Sequence, residues 1–217
     1  MLYSCYQPAP RGLAMSTEML LEKAPTQEVM PAASDFVTLE DYFAIAAERE
    51  ERIEYIDGEI FFMDGVTFAH GRIQINVIRI LLGQLAADEY VIQSSSVSVH
   101  IDPSAYLLPD LSVIRGREQP ARRGTALVNP ALVVEVLSKS TAYRDHGVKL
   151  QRYREIPSLE HYLIIEQQRV YVELHSRVDG AWAQRAFSAL EETVPLDSLG
   201  ASLSLAQIYR GIDLAHG

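Results

Sequence analysis

A mixed α/β fold, with a central sheet flanked by helices, is what this 217-residue chain predicts. Three observations point to it. The run Ala131-Leu132-Val133-Val134-Glu135-Val136-Leu137 is short, β-branched and apolar, and Asn129-Pro130 and Ser138-Lys139-Ser140-Thr141 bound it as turns do, so it reads as a buried strand. From 67 to 87 the apolar residues Ile73, Val77, Ile80, Leu81 and Leu85 recur at three- and four-residue steps, the period of a helix packed on one side. Asp57-Gly58 stands between two apolar-containing runs, a strong hairpin signal. Helices and strands interleaved in this way pack as layers around a sheet.

The elements follow in order. Residues 1–35 are rich in Pro, Ala, Ser, Thr and Glu and hold no sustained period, which predicts a flexible tail ahead of a single domain over 36–217. Thr38, with Asp41 three residues on, opens a short helix that runs to about 47–51. The hairpin spans 52–63 and the long helix 67–87. Strands are expected at 90–94, 96–101 and 107–114, then a basic loop over 115–129. The strand at 131–137 leads into a helix at 141–155 capped by Ser140 or Thr141. After Pro157, strands are expected at 160–166, 169–176 and 181–187, and a last short helix near 205–211.

Composition narrows the class. Hydrophobic residues make up 48% and charged residues 22%, as in ordinary globular domains. No stretch approaches the roughly 18 consecutive apolar residues of a membrane span, and no secretory signal precedes the domain. Cys5 is the single cysteine, which excludes a disulfide framework and a cysteine-based metal site. A reducing, cytoplasmic setting is the expectation. The net charge of −10 works against coating nucleic acid by bulk electrostatics. Yet between Arg115 and Arg154 nine basic residues stand against three acids. That window reads either as a surface facing phosphates or as a solvated helix face plus a basic loop.

Glu135 is the energetic anomaly. An ionised carboxylate in a buried strand costs several kcal/mol or more unless a cation compensates it. Asp110 lies in a second apolar run, Leu107-Leu108-Pro109-Asp110-Leu111-Ser112-Val113-Ile114. Two such acids converging at one sheet edge suit Mg²⁺ or Mn²⁺, which take one or two carboxylates plus waters and phosphate oxygens. Asp145, Lys149 and Tyr153 are spaced by four and share one helix face. They extend the site if that face turns inward; otherwise Asp145 and Lys149 form a surface ion pair worth a few tenths of a kcal/mol.

Leu108-Pro109-Asp110-Leu111-Ser112-Val113, then Val133-Val134-Glu135-Val136-Leu137-Ser138 with Ser140-Thr141, then Asp145, Lys149 and Tyr153, resemble the Uma-two family of restriction endonucleases within the PD-(D/E)xK nuclease superfamily. Upstream, Glu54-Tyr55-Ile56-Asp57-Gly58-Glu59-Ile60 and His70 match it too, so the resemblance covers about 36–210. It implies a restriction-endonuclease-like mixed sheet flanked by helices and a Mg²⁺-dependent or Mn²⁺-dependent endonuclease acting on phosphodiester bonds, in DNA. Asp110 and Glu135 would be the metal ligands, Glu54 and His70 auxiliary groups near the site. The superfamily lysine belongs two residues after the glutamate, where this chain has Leu137. The resemblance implies that Lys149 replaces it, with Lys139 the rival.

Two functions follow. One is the metal-dependent nuclease, for which a homodimer would supply the two sites that two-strand cleavage needs. The other is a non-catalytic binding or interaction module that retains the nuclease fold, since fold does not fix function.

Overall fold

The computed structural model describes residues 36–63, 65–121, 124–138 and 142–214. The expected tail over 1–35, the caps Ser140 and Thr141, and Lys139 lie outside the described residues.

Thr38 caps helix α1 (Leu39–Glu48), its hydroxyl accepting the Asp41 backbone N–H at 3.1 Å. Strands β1 (Ile53–Ile56) and β2 (Glu59–Phe62) form the expected hairpin. Asp57 and Gly58 both take positive φ, 53° and 89°, the requirement of a two-residue type I′ turn. Helix α2 (Phe68–Leu82) begins after the Thr67 cap and ends at Leu82, five residues short of the expected end, with Gly83 as its C-cap.

Strands β3 (Tyr90–Ser94) and β4 (Ser98–Asp102) follow. The expected strand over 107–114 is instead two, β5 (Ala105–Leu107) and β6 (Leu111–Arg115). Pro109 has no N–H to give a ladder, and here the chain leaves one sheet for another. The basic loop contributes two short strands, β7 (Pro120–Ala121) and β8 (Ala126–Leu127).

Strand β9 (Pro130–Val136) is followed by two helices, α3 (Ala142–His146) and α4 (Val148–Arg154), where one helix was expected. Gly147 separates them at φ −103° and ψ −107°. A Cβ there would lie 2.8 Å from the Tyr143 carbonyl oxygen. Strands β10 (His161–Ile165) and β12 (Ala181–Phe187) lie where expected, and β11 (Val172–Val178) starts three residues later and ends two later than expected. The hairpin of β13 (Thr193–Leu196) and β14 (Ala201–Ser204) was not anticipated; its apolar residues are few and a 3₁₀ turn interrupts them. Helix α5 (Leu205–Ile208) closes the fold.

The strands form two six-stranded mixed sheets, β2-β1-β5-β4-β8-β7 and β12-β11-β10-β9-β6-β3, plus the β13-β14 ribbon. In the second sheet β9 and β10 are parallel, joined through α3 and α4, while β6 runs antiparallel to β9 with Leu111 opposite Val134. Alternation along β9 then sorts its side chains. Leu132, Val134 and Val136 pack with Ile73, Val77 and Leu81 of α2. Val133 and Leu137 face the other way, into a layer shared with Tyr153 of α4 and with Ile56, Val99 and Leu107 of the first sheet. Glu135 has the parity of that second layer. Among the described residues no helix is long and apolar enough to cross a membrane.

A histidine pins the far end of this sheet. His161 is buried, with Nδ1 2.9 Å from the Ser176 hydroxyl and Nε2 2.8 Å from the Ser198 hydroxyl. Burial lowers its pKa below the ordinary 6.5, opposed by Glu160 and Asp197. The unfolded chain therefore binds the proton first, so this contribution is complete above 6.5 and is lost as pH falls toward the folded-state value. We predict a melting temperature that drops below pH 6.5, with a shallower drop in His161→Gln; an equally steep drop in that variant would remove His161 as a cause.

Candidate active site

The site lies where the chain passes between sheets. Pro109 ends β5's sheet, and Asp110 stands one residue before β6, beside the C-terminal end of β9. Its carboxylate replaces ladder partners: Oδ2 accepts the Val136 backbone N–H at 2.7 Å. Oδ1 takes Gln74 Nε2 at 2.7 Å and lies 2.9 Å from His70 Nε2, both from α2. Asp110 is thus fixed by one strand and one helix.

Glu135 projects into the second layer at 3% exposure. A leucine there would contribute about 1.5–3 kcal/mol by burial, so stability does not explain an acid at this position. Its Oε1 accepts the Tyr153 hydroxyl at 2.9 Å and lies 2.7 Å from Lys149 Nζ. Lys149, 1% exposed, also reaches Glu54 Oε1 at 2.9 Å and Asp145 Oδ1 at 3.1 Å. Glu54 comes from β1 with the inward parity of Ile56, and the same Oε1 accepts the Leu108 backbone N–H at 2.9 Å. Its Oε2 is buried with no hydrogen-bond partner among the described residues.

Three carboxylates therefore surround one ammonium. Burial pushes Lys149 down, but Glu135, Glu54 and Asp145 together outweigh it and hold the ammonium well above its usual pKa. Burial raises the Glu135 carboxyl well above the carboxylate range; Lys149 pulls it back, while Asp145, Asp110 and Glu54 push it further up. Burial first and Glu135 second keep Tyr153 a neutral donor. Lys149 stays charged and the cluster holds an excess of negative charge.

All seven residues singled out in the sequence, Glu54, His70, Asp110, Glu135, Asp145, Lys149 and Tyr153, come together here. Asp145 sits on α3 and Lys149 and Tyr153 on α4, so the expected single helix face is kept across the break at Gly147. Of the basic window's described members, Lys149 lies in the site. Among its described members, Arg115 pairs with Glu160, Arg152 with Asp57, Asp102 and Glu155, and Arg144 and Arg154 lie over the rings of Phe61 and Trp182. Sequence reasoning missed two amides. Gln74 lies one turn beyond His70 on α2, and that spacing was the available signal. Gln167 donates to the Leu137 carbonyl at 2.6 Å from across the cavity mouth and is bonded to Thr67; nothing in its sequence context marks it.

Asp110, Glu135, Asp145 and Lys149 line one side of a cavity of about 50 Å³, and Arg52, Thr67 and Gln167 its other edges. With this geometry in view, comparison with known proteins decides the family. Residues 39–207 match Uma2, described as "Putative restriction endonuclease". The chain belongs to the Uma2 family. Two uncharacterized proteins of Synechocystis sp. are 32% and 34% identical over 176 and 156 residues, covering 80% and 70% of this chain and 91% and 87% of theirs. The fold is shared with a crystal structure from Anabaena variabilis described as "a putative nuclease belonging to DUF820", at TM-score 0.67 and 18% identity, over 80% of this chain and 97% of that one. This Uma2 member thus has a nuclease-like architecture with a buried acid–lysine cluster at its sheet junction.

Removing the ammonium leaves three buried carboxylates facing one another. Lys149→Met should lower the free energy of unfolding in urea by about 3–5 kcal/mol. Glu135→Gln added to it should recover part of the loss, because the buried acid that Lys149 compensated is gone; a double variant as unstable as the sum of the two single variants would refute the coupling.

Proposed function

We propose that the protein is a divalent-metal-dependent endonuclease that hydrolyses phosphodiester bonds, in DNA. The observation that carries this reading is Lys149. The strand position where the superfamily places its lysine holds Leu137, and Leu137 is buried in the apolar layer. Lys149 arrives from α4 instead and brings its Nζ to 2.7 Å from the strand glutamate. That closeness supports Lys149 as the lysine that accompanies the acid pair.

The donor set fits a hard cation. Among the described residues no three His, Cys, Asp or Glu side chains are grouped to hold an ion by themselves. Asp110 and Glu135 would be its two protein ligands, which suits Mg²⁺ or Mn²⁺, ions that keep waters and take phosphate oxygens. The excess negative charge of the cluster and the unpartnered Glu54 Oε2 are what a cation would relieve. When bound, the metal supplies activation of water and neutralisation of charge developing on the phosphodiester.

The chain's own residues set the stage for that. His70, Gln74 and the Val136 N–H hold both oxygens of Asp110 in place. Tyr153 and Lys149 hold Oε1 of Glu135, which leaves Oε2 for the metal. Lys149 also offsets part of the negative field that would repel a phosphodiester. Glu54 and Asp145 act through Lys149 by keeping its ammonium charged and fixed.

Purified protein with Mg²⁺ or Mn²⁺ should nick plasmid DNA, and Asp110→Ala should reduce nicking to background. Mn²⁺ should raise the melting temperature of the wild type and leave that of Asp110→Ala unchanged. Equal nicking by both proteins would sink the catalytic reading. A wild type that binds Mn²⁺ but cuts nothing would favour a binding module built on the same fold.

A further inference from the structure

Lys149 is close to the site's chemistry, yet three carboxylates crowd its ammonium. An ammonium carries three N–H donors, and its neighbours are three carboxylate oxygens at 2.7, 2.9 and 3.1 Å. Its Nζ is enclosed, with the side chain 2% exposed. A phosphate entering the cavity would have to displace one of those acids to reach it. The wall that the phosphate meets also bears Asp110, Glu135 and Asp145. Beyond the proposed metal, a cation of the protein that faces the substrate has to come from elsewhere in the lining.

Among the described residues lining the cavity, Arg52 is the remaining lysine or arginine. It stands immediately before β1, two residues from Glu54, and its carbonyl accepts the Met63 N–H at 2.9 Å, so its backbone is held by the hairpin. Its side chain is exposed at the rim. One guanidinium N–H goes to the Ser95 carbonyl in the turn between β3 and β4. A guanidinium has five donors in a planar fork matched to phosphate oxygens, and among the described residues the Ser95 carbonyl takes one of them. Anchored at one corner and open at the others, the group is preorganised to bind without giving up a structural contact.

We propose that Arg52 is the substrate-phosphate contact of this site, binding a non-bridging oxygen of the nucleic-acid backbone, while Lys149 acts on the acids and does not touch the substrate. This rests on the reading of the site as one that cleaves phosphodiesters. It adds a binding residue that neither the acid pattern nor the lysine position indicates, and it accounts for how a wall of carboxylates tolerates a polyanion.

The test uses the full chain and a fluorescent DNA oligonucleotide, with anisotropy read over a range of salt concentrations. Arg52→Ala should weaken binding about tenfold and lower the slope of log affinity against log salt by about one ion. Its melting temperature and its Mn²⁺ affinity by calorimetry should match the wild type, because Arg52 holds neither the fold nor the metal ligands. Arg52→Lys, which keeps the charge and loses the fork, should retain the salt slope and recover part of the affinity. Unchanged affinity and slope in Arg52→Ala would overturn the contact and leave the nuclease reading intact. A wild type that binds no DNA and nicks none with Mn²⁺ would overturn both.

Discussion

The structure of the site depends on one buried interaction, the Lys149 ammonium held by Glu54, Glu135 and Asp145. Each partner comes from a different element: β1 of the first sheet, β9 of the second, and α3 beside it. Burying acids here costs several kcal/mol for each ionised group, and the ammonium offsets part of that cost. Remove it and the two sheets meet across like charges. The same contact therefore joins the sheets and assembles the chemistry.

The crossing at Leu108-Pro109-Asp110 shows how closely architecture and site are bound. Pro109 ends one ladder, and the Asp110 side chain begins the next by accepting the Val136 N–H in place of a backbone carbonyl. Glu54 ties the same crossing to β1 through the Leu108 N–H. A carboxylate used as a substitute ladder acceptor is held as rigidly as the strand it serves. That rigidity is what a metal ligand requires. On the other side of β9, the apolar packing of Val134 and Val136 against α2 fixes the helix that carries His70 and Gln74.

Much of this was legible in the sequence because it rests on periodicity and on local chemistry. The β9 run, the Asp57-Gly58 turn and the α2 period each reflect one face against one core, and an acid inside an apolar run is visible wherever burial is visible. The errors fall where long-range geometry overrides local pattern. Residues 107–114 read as one apolar strand because nothing local says that Leu107 and Leu111 belong to different sheets. Residues 141–155 read as one helix because the break at Gly147 depends on how close a Cβ would come to the Tyr143 carbonyl. The positive window between Arg115 and Arg154 suggested a phosphate-facing surface. Arg115 and Arg152 instead found acids that the chain places far away in sequence, and Arg144 and Arg154 lie over aromatic rings.

The layer that Glu135 faces bears on where its ammonium partner comes from. Position 137 has the same parity as 135, so a lysine there would project into the second layer beside Tyr153 and Tyr162, with its stem along β9. Leu137 fills that space with apolar surface, and α4, lying over the same layer, brings an ammonium in from the opposite wall. From α4 the ammonium touches Glu135, Glu54 and Asp145 together. A strand lysine would be a partner for one acid; Lys149 is a hub for three. The cluster so built is negative in sum, and it gains most when a cation arrives that the protein does not itself provide.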